Sequence, residues 1–150
     1  MSSPVAPEQL FDALRTSWTR STSADPDRWS ATNPARGQCD VTSLVVLEHL
    51  GGDLRLGRVF VGGEQTEHHY WNVLASGEVI DLTSEQFGPE EVVRDAEVVT
   101  GAFVRANYPD MKPDIRQRLA VLRRSTAARL GTGFDPAFLG HDAEVVRGAA

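Results

Sequence analysis

Apolar positions recur at helical spacing near the start of the chain. Leu10, Phe11, Leu14 and Trp18 fall on one stripe, which predicts a first helix over Pro7 to Trp18. Ser21 to Pro34 is rich in Ser, Thr, Asp and Pro and reads as a loop. Trp29, inside that loop, is expected to pack on the domain, because so large a ring is costly to leave in water. Cys39 to Leu50 reads as a second helix with Val41, Leu44 and Val45 on its apolar stripe, ended by Gly51-Gly52. Its β-branched content suits a buried central helix.

The period then changes. Leu54 to Val61, His69 to Leu74 and Glu78 to Leu82 read as strands, with Gly62 to Glu67 as a turn between the first two. Ala75-Ser76-Gly77 suits a three-residue hairpin loop with Gly77 at the left-handed position. Pro89 to Val99 has an ambiguous period and reads at most as a short helix. Asp110 to Leu130 predicts a long helix, with Pro113 tolerated in its first turn and Ile115, Leu119, Leu122 and Leu130 apolar. Helix, helix and antiparallel meander make an α+β pattern. Residues 1–130 are expected to form one globular domain, and 131–150, weakly periodic and glycine-containing, a flexible C-terminal tail.

Composition narrows the functional classes. The chain has 150 residues and a net charge of −6, which argues against nonspecific binding to nucleic acid or an anionic membrane. All but one of its 15 basic residues are arginine, Lys112 being the exception. The arginines crowding the last helix (Arg116, Arg118, Arg123, Arg124 and Arg129) alternate with acidic and apolar positions and are read as a solvated face. An assembly interface on that helix is the weaker alternative. One cysteine forms no internal disulfide, and neither a secretory leader nor a membrane-length apolar run is visible, so a cytoplasmic location is expected.

That cysteine, Cys39, is where chemistry enters. Turn residues precede it and a helical period follows, so its thiol would stand at a helix N-terminus, whose partial positive charge favours the thiolate. His69 and Asp81 follow in that order. With Ala75-Ser76-Gly77 as the loop, Leu74 faces Glu78 and Trp71 faces Asp81. His69, Trp71, Asp81 and Thr83 then share a face, with about 5–8 Å between the β-carbons of His69 and Asp81. A two-residue loop would instead set Asp81 opposite Asn72. In the first register Cys39 attacks an acyl carbon, His69 handles the thiol proton and Asp81 orients the imidazole. The Cys39 backbone N–H and the Gln38 side chain are candidate oxyanion donors. Trp29, Tyr70, Trp71 and Asn72 are candidates for lining the site.

Bland readings compete for each residue. A cysteine in an apolar helix is often a small buried hydrophobe, a strand histidine a satisfied core residue, and an aspartate near a turn a cap. Cys39, His68, His69 and Asp81 include metal-ligand types, but no Cys-x-x-Cys or His-Glu-x-x-His spacing exists, and adjacent strand histidines point to opposite faces. No metal and no cofactor is expected. His68 is read as the solvent-facing neighbour, and His49 as a cap on carbonyls at a helix end.

The strings Asn33-Pro34-Ala35-Arg36-Gly37-Gln38-Cys39, Val41-Thr42-Ser43-Leu44, Gly51-Gly52, His69-Tyr70-Trp71-Asn72 and Ile80-Asp81-Leu82-Thr83-Ser84-Glu85-Gln86-Phe87 resemble the YunG-like family of bacterial proteins. That resemblance spans roughly Trp29 to Phe87, and the Pro113-to-Arg129 helix more faintly, and implies no particular reaction. A helix-borne cysteine followed by a strand-borne histidine and aspartate also resembles the papain-like and transglutaminase-like superfamily. This second resemblance implies a Cys-bearing helix packed on an antiparallel sheet, with additional N- and C-terminal helices, and thiol chemistry at an acyl carbon. A papain-type oxyanion glutamine lies several residues before the cysteine, whereas Gln38 is adjacent. The expected activity is that of a cysteine-dependent hydrolase or acyltransferase acting on an amide or thioester through Cys39, His69 and Asp81. The expected partner is an amide-containing small molecule or peptide. The alternative is a non-catalytic binding module that keeps the same pocket.

Overall fold

The computed structural model describes residues 5–131. Four helices and four strands follow one another as α1 (Pro7–Ser17), α2 (Cys39–Leu50), β1 (Asp53–Val61), β2 (Glu64–Val73), β3 (Val79–Ile80), β4 (Val92–Val99), α3 (Gly101–Asn107) and α4 (Pro113–Leu130). The expected tail lies outside the described residues, apart from Gly131. All strand pairs are antiparallel, in the order β3-β2-β1-β4. The fold is α+β.

Local chemistry accounts for the helix ends. Pro7 opens α1, and the Gln9 side chain accepts a hydrogen bond from the Ala6 N–H at 3.2 Å. The buried residues Leu10, Ala13, Leu14 and Ser17 recur at helical spacing, so one face of α1 turns inward. In α2 every residue from Val41 to Leu47 is buried, which is why valine is tolerated there despite its modest helix propensity. Gly51 closes α2 at φ +71° and its N–H returns to the Leu47 carbonyl.

The core gathers Leu10, Leu14, Trp18, Val45, Leu47, Leu54, Leu119 and Leu122 between α1, α2, α4 and the sheet. Side chains alternate across β2. Tyr70 packs toward this core, and Asn72 donates its Nδ2 to the Ser43 carbonyl on α2 at 3.0 Å. His69 and Trp71 take the opposite face and stack, with ring centroids 5.4 Å apart. Gly57 of β1 pairs with His69, and a side chain there would press into the Trp71 ring.

Three parts of the sequence reading are corrected. Only Gly62-Gly63 turns between β1 and β2, since Glu64 to Glu67 already pair with β1. The segment read as at most a short helix contains strand β4, whose Val92, Val93, Val98 and Val99 favour the extended state on the free edge of β1. The strand expected over Glu78 to Leu82 shrinks to Val79–Ile80, because the chain turns into a 3-10 turn at Ser84–Gln86.

The arginines of α4 also differ from a solvated face. Arg118 and Arg123 are buried. Arg118 forks onto Asp40 of α2, and Arg123 forks onto Glu48. Planar bidentate pairing is what lets two guanidinium groups enter a helix interface.

Candidate functional site

Cys39 is the first residue of α2, and its approach is built from a network of backbone contacts. Gly37 adopts φ +74°, and a β-carbon there would lie 2.3 Å from the Ser23 hydroxyl oxygen, so only glycine fits. Its carbonyl accepts from the Ala24 N–H at 2.8 Å, and the Ser23 hydroxyl donates to the Arg36 carbonyl at 2.7 Å. The Gly37 N–H donates to Gln86 Oε1 at 3.1 Å, and Asn33 Nδ2 donates to the Gln86 carbonyl at 3.2 Å. Gln86 thereby fastens the loop before Cys39 to the loop after Asp81.

His69 and Asp81 meet as the three-residue hairpin requires. Asn72 pairs with Ile80 and Val73 with Val79, a register that sets Trp71 opposite Asp81. Gly77 is left-handed at φ +90°. His69 Nε2 lies 2.9 Å and 3.0 Å from the two Asp81 carboxylate oxygens. Phe87 meets the imidazole edge-on at a centroid distance of 4.8 Å. The ring is 2% exposed, and its Nδ1 is buried with no hydrogen-bond partner among the described residues. An Nε2–H donated to Asp81 leaves Nδ1 as an unclaimed acceptor.

Cys39 and His69 are not hydrogen-bonded to each other. The cysteine borders a cavity of about 340 Å³ together with Arg36, Glu67, Tyr70 and Gln86. His69 borders another, of about 450 Å³, with Trp71, Asp81, Phe87 and Glu91. Burial pushes the Cys39 thiol up to about 12, and the negative charges of Asp40, Glu67 and Asp81 add to that. A hydrogen bond from the Tyr70 backbone opposes the rise without reversing it. The resting thiol is therefore neutral, contrary to the thiolate that a helix N-terminus alone predicts.

The remaining expected site residues are scattered. Gln38 is fully buried; its Nε2 donates to the Thr19 carbonyl at 3.0 Å and its Oε1 accepts from the Thr22 hydroxyl at 2.8 Å. Both ends of its amide are turned to the loop after α1, and it is absent from the lining of the Cys39 cavity. Asn72 is held on Ser43 inside the fold and borders neither the Cys39 nor the His69 cavity. Trp29 donates its Nε1 to the Pro34 carbonyl at 3.0 Å and lies under Arg20, bracing the loop instead of walling a cavity. Tyr70 borders the Cys39 cavity and Trp71 the His69 cavity, on opposite faces of β2. His68 is exposed, and His49 Nδ1 lies 3.0 Å from the Val45 carbonyl.

Arg36 was not singled out by sequence reasoning as a functional residue. It is buried beside Cys39, with Nη2 2.7 Å from Glu67 and Nε 3.1 Å from Asp25, and Glu91 lies 3.8 Å from Nη1. Burial pulls against its charge, but hydrogen bonds and attraction from Glu67 and Asp25 outweigh that and raise its pKa. No periodicity marks a loop arginine as buried; its place immediately before Gly-Gln-Cys is the only signal. Gln86 and Phe87 were likewise visible only as parts of a motif string.

Among the described residues no three His, Cys, Asp or Glu side chains gather into a metal-binding group. No described helix is long and apolar enough to cross a membrane.

The YunG protein family matches residues 6–131. The chain is 39% identical over 80 residues to the uncharacterized protein YunG of Bacillus subtilis (strain 168), an alignment covering 53% of this chain and 62% of that relative. No solved structure matches it. The match from α1 through α4 takes in the Cys39 loop, the His69 strand and the Asp81 turn alike, and on that extent the chain belongs to the YunG family.

Proposed function

We propose that the protein is a cysteine-dependent hydrolase or acyltransferase acting on an amide or thioester, on a frame of papain-like or transglutaminase-like type. The observation that carries this reading is the His69 imidazole, held at Nε2 by Asp81 while its buried Nδ1 has no partner. A ring fixed at one nitrogen and unclaimed at the other is equipped to take up a proton.

The neutral thiol sets the order of events. Sγ attacks the acyl carbon as its proton passes to Nδ1, so thiol deprotonation and C–S bond formation belong to one step. For this, Nδ1 and Sγ, which border separate cavities on opposite faces of β2, must be brought within hydrogen-bond reach by a rearrangement that accompanies substrate binding. Asp81 stabilises the imidazolium that forms. The tetrahedral carbon then expels the amine or thiol, which takes the proton from Nδ1, and leaves a Cys39 thioester. Water or an acceptor nucleophile, deprotonated by Nδ1, attacks that thioester and regenerates the thiol. The scheme calls on no metal and no cofactor.

The second reading, a binding module, is favoured by one observation: burial raises the Cys39 thiol to about 12, which suits a neutral wall. Acylation of Cys39 at pH 7 by a p-nitrophenyl ester, followed by mass spectrometry, separates the two. Catalysis requires a rate falling at least about 100-fold in His69→Ala. Equal, slow reaction of both proteins, rising only toward alkaline pH, would exclude the relay and favour the binding module.

A further inference from the structure

An apolar cavity of about 230 Å³ lies between α2, α3, the start of α4 and the sheet, walled by Leu44, Leu54, Leu56, Val104, Met111 and Ile115. Asp40 and Tyr70 belong to its lining and also to that of the Cys39 cavity. The two spaces are thus adjacent, one apolar and one carrying the thiol, with Tyr70 as their shared wall. Phe103, 58% exposed, stands at the rim of the apolar one.

We propose that this cavity holds the aliphatic acyl arm of the substrate, with the amide or thioester carbonyl reaching past Tyr70 to Cys39. The inference rests on the catalytic reading only for the carbonyl's fate. Its size follows from volume: a cavity of about 150 Å³ lined by Leu, Ile and Phe holds benzene, so about 230 Å³ admits roughly six to nine carbons. Its chemistry follows from the walls, which are mainly aliphatic and so recognise a chain by burial alone. The residues of its lining that carry polar side-chain groups are Asp40, Ser43, Tyr70 and Asn107, three of them on the side of the thiol cavity or α2. A chain seated among the leucines would therefore keep its polar end toward Asp40 and the thiol.

The test uses straight-chain amides from acetamide to octanamide, with binding to the unsubstituted protein read by titration calorimetry. Protection of Cys39 from iodoacetamide at pH 9 is read in parallel. Affinity is expected to rise about fourfold per methylene until the cavity is full, and protection to follow the same order. Leu56→Trp, which fills the cavity, is expected to abolish the length dependence. If that variant does not fold, methyl NMR shifts of Leu44, Leu54 and Val104 on adding octanamide locate the chain in the unsubstituted protein. Affinity that is flat with length overturns the proposal, as does length-dependent binding that leaves Cys39 unprotected or the Leu44, Leu54 and Val104 methyls unmoved. Length-dependent binding with protection, but without acylation of Cys39 by octanoyl p-nitrophenyl ester, upholds the cavity and overturns the catalytic reading.

Discussion

Asp40 accepts two parallel hydrogen bonds from Arg118, Nη1 to Oδ1 at 3.0 Å and Nη2 to Oδ2 at 2.7 Å, immediately after Cys39 in the chain. The same guanidinium reaches Asp114 through Nε at 2.9 Å and the Thr22 carbonyl through Nη1 at 3.3 Å. One arginine of α4 thus holds the cysteine end of α2 and the loop that follows α1.

Removing that arginine alone leaves a largely buried carboxylate without its partner. Arg118→Met is expected to lower unfolding stability by about 3–5 kcal/mol in urea titrations. Pairing it with Asp40→Leu should restore most of the loss, because no buried charge then remains. Equal destabilisation by the single and double replacements would show that the pair is not the cause.

Asp40 also acts on the thiol. Burial is the largest reason for the raised Cys39 pKa and the Asp40 charge the next. Asp40→Asn is therefore expected to move the midpoint of iodoacetamide alkylation to lower pH. An unchanged or raised midpoint would mean that the carboxylate field does not reach the sulfur.

Stability should depend on pH through the same group. In the unfolded chain a thiol ionises near 8.5, whereas in the fold Cys39 is raised to about 12. Between those values the unfolded state gives up a proton that the folded state keeps, so alkali favours unfolding. The contribution is complete below about pH 8.5 and is lost at about 1.4 kcal/mol per pH unit above it. The stability difference between the natural protein and Cys39→Ala, measured at pH 9, 10 and 11, should narrow by about that amount per unit. A constant difference would contradict the raised pKa.

At Gly37 the constraint is both conformational and steric. Gly37→Ala must accept φ +74° and place a β-carbon 2.3 Å from Ser23 Oγ and 2.7 Å from the Asp25 amide nitrogen. A loss of at least about 2 kcal/mol is expected in thermal or urea unfolding. A shift of a few tenths would mean that the loop moves aside freely.

Periodicity made α1, α2 and α4 legible, though not the short α3: α2 runs over the interval that the apolar stripe and Gly51 marked out. The hairpin register was also readable, because Gly77 fixed the loop and the loop fixed which residues oppose. Strand β4 was not, since most of its side chains are exposed and no hydrophobic alternation records its pairing with β1. At the site, His69 and Asp81 could be paired by counting along the hairpin. The state of Cys39 could not, because it depends first on burial and then on carboxylates from three separate segments converging in space. Gln38 shows the same limit from the other side: adjacency to a cysteine says nothing about where an amide points. Arg118 and Arg123 looked solvated because a helical wheel cannot foresee Asp40 and Glu48 waiting on another helix.

Those two forked pairs have a consequence for the order in which the molecule can be completed during synthesis. When α2 and the sheet have left the ribosome, Asp40 and Glu48 still lack the arginines that let them be buried, and both remain in water. The end of α2 that carries Cys39 gains its fork only when the chain has been made through Arg118, and the far end gains its own only with Arg123. The seam between α2 and α4 is thus among the last contacts that a nascent chain can complete.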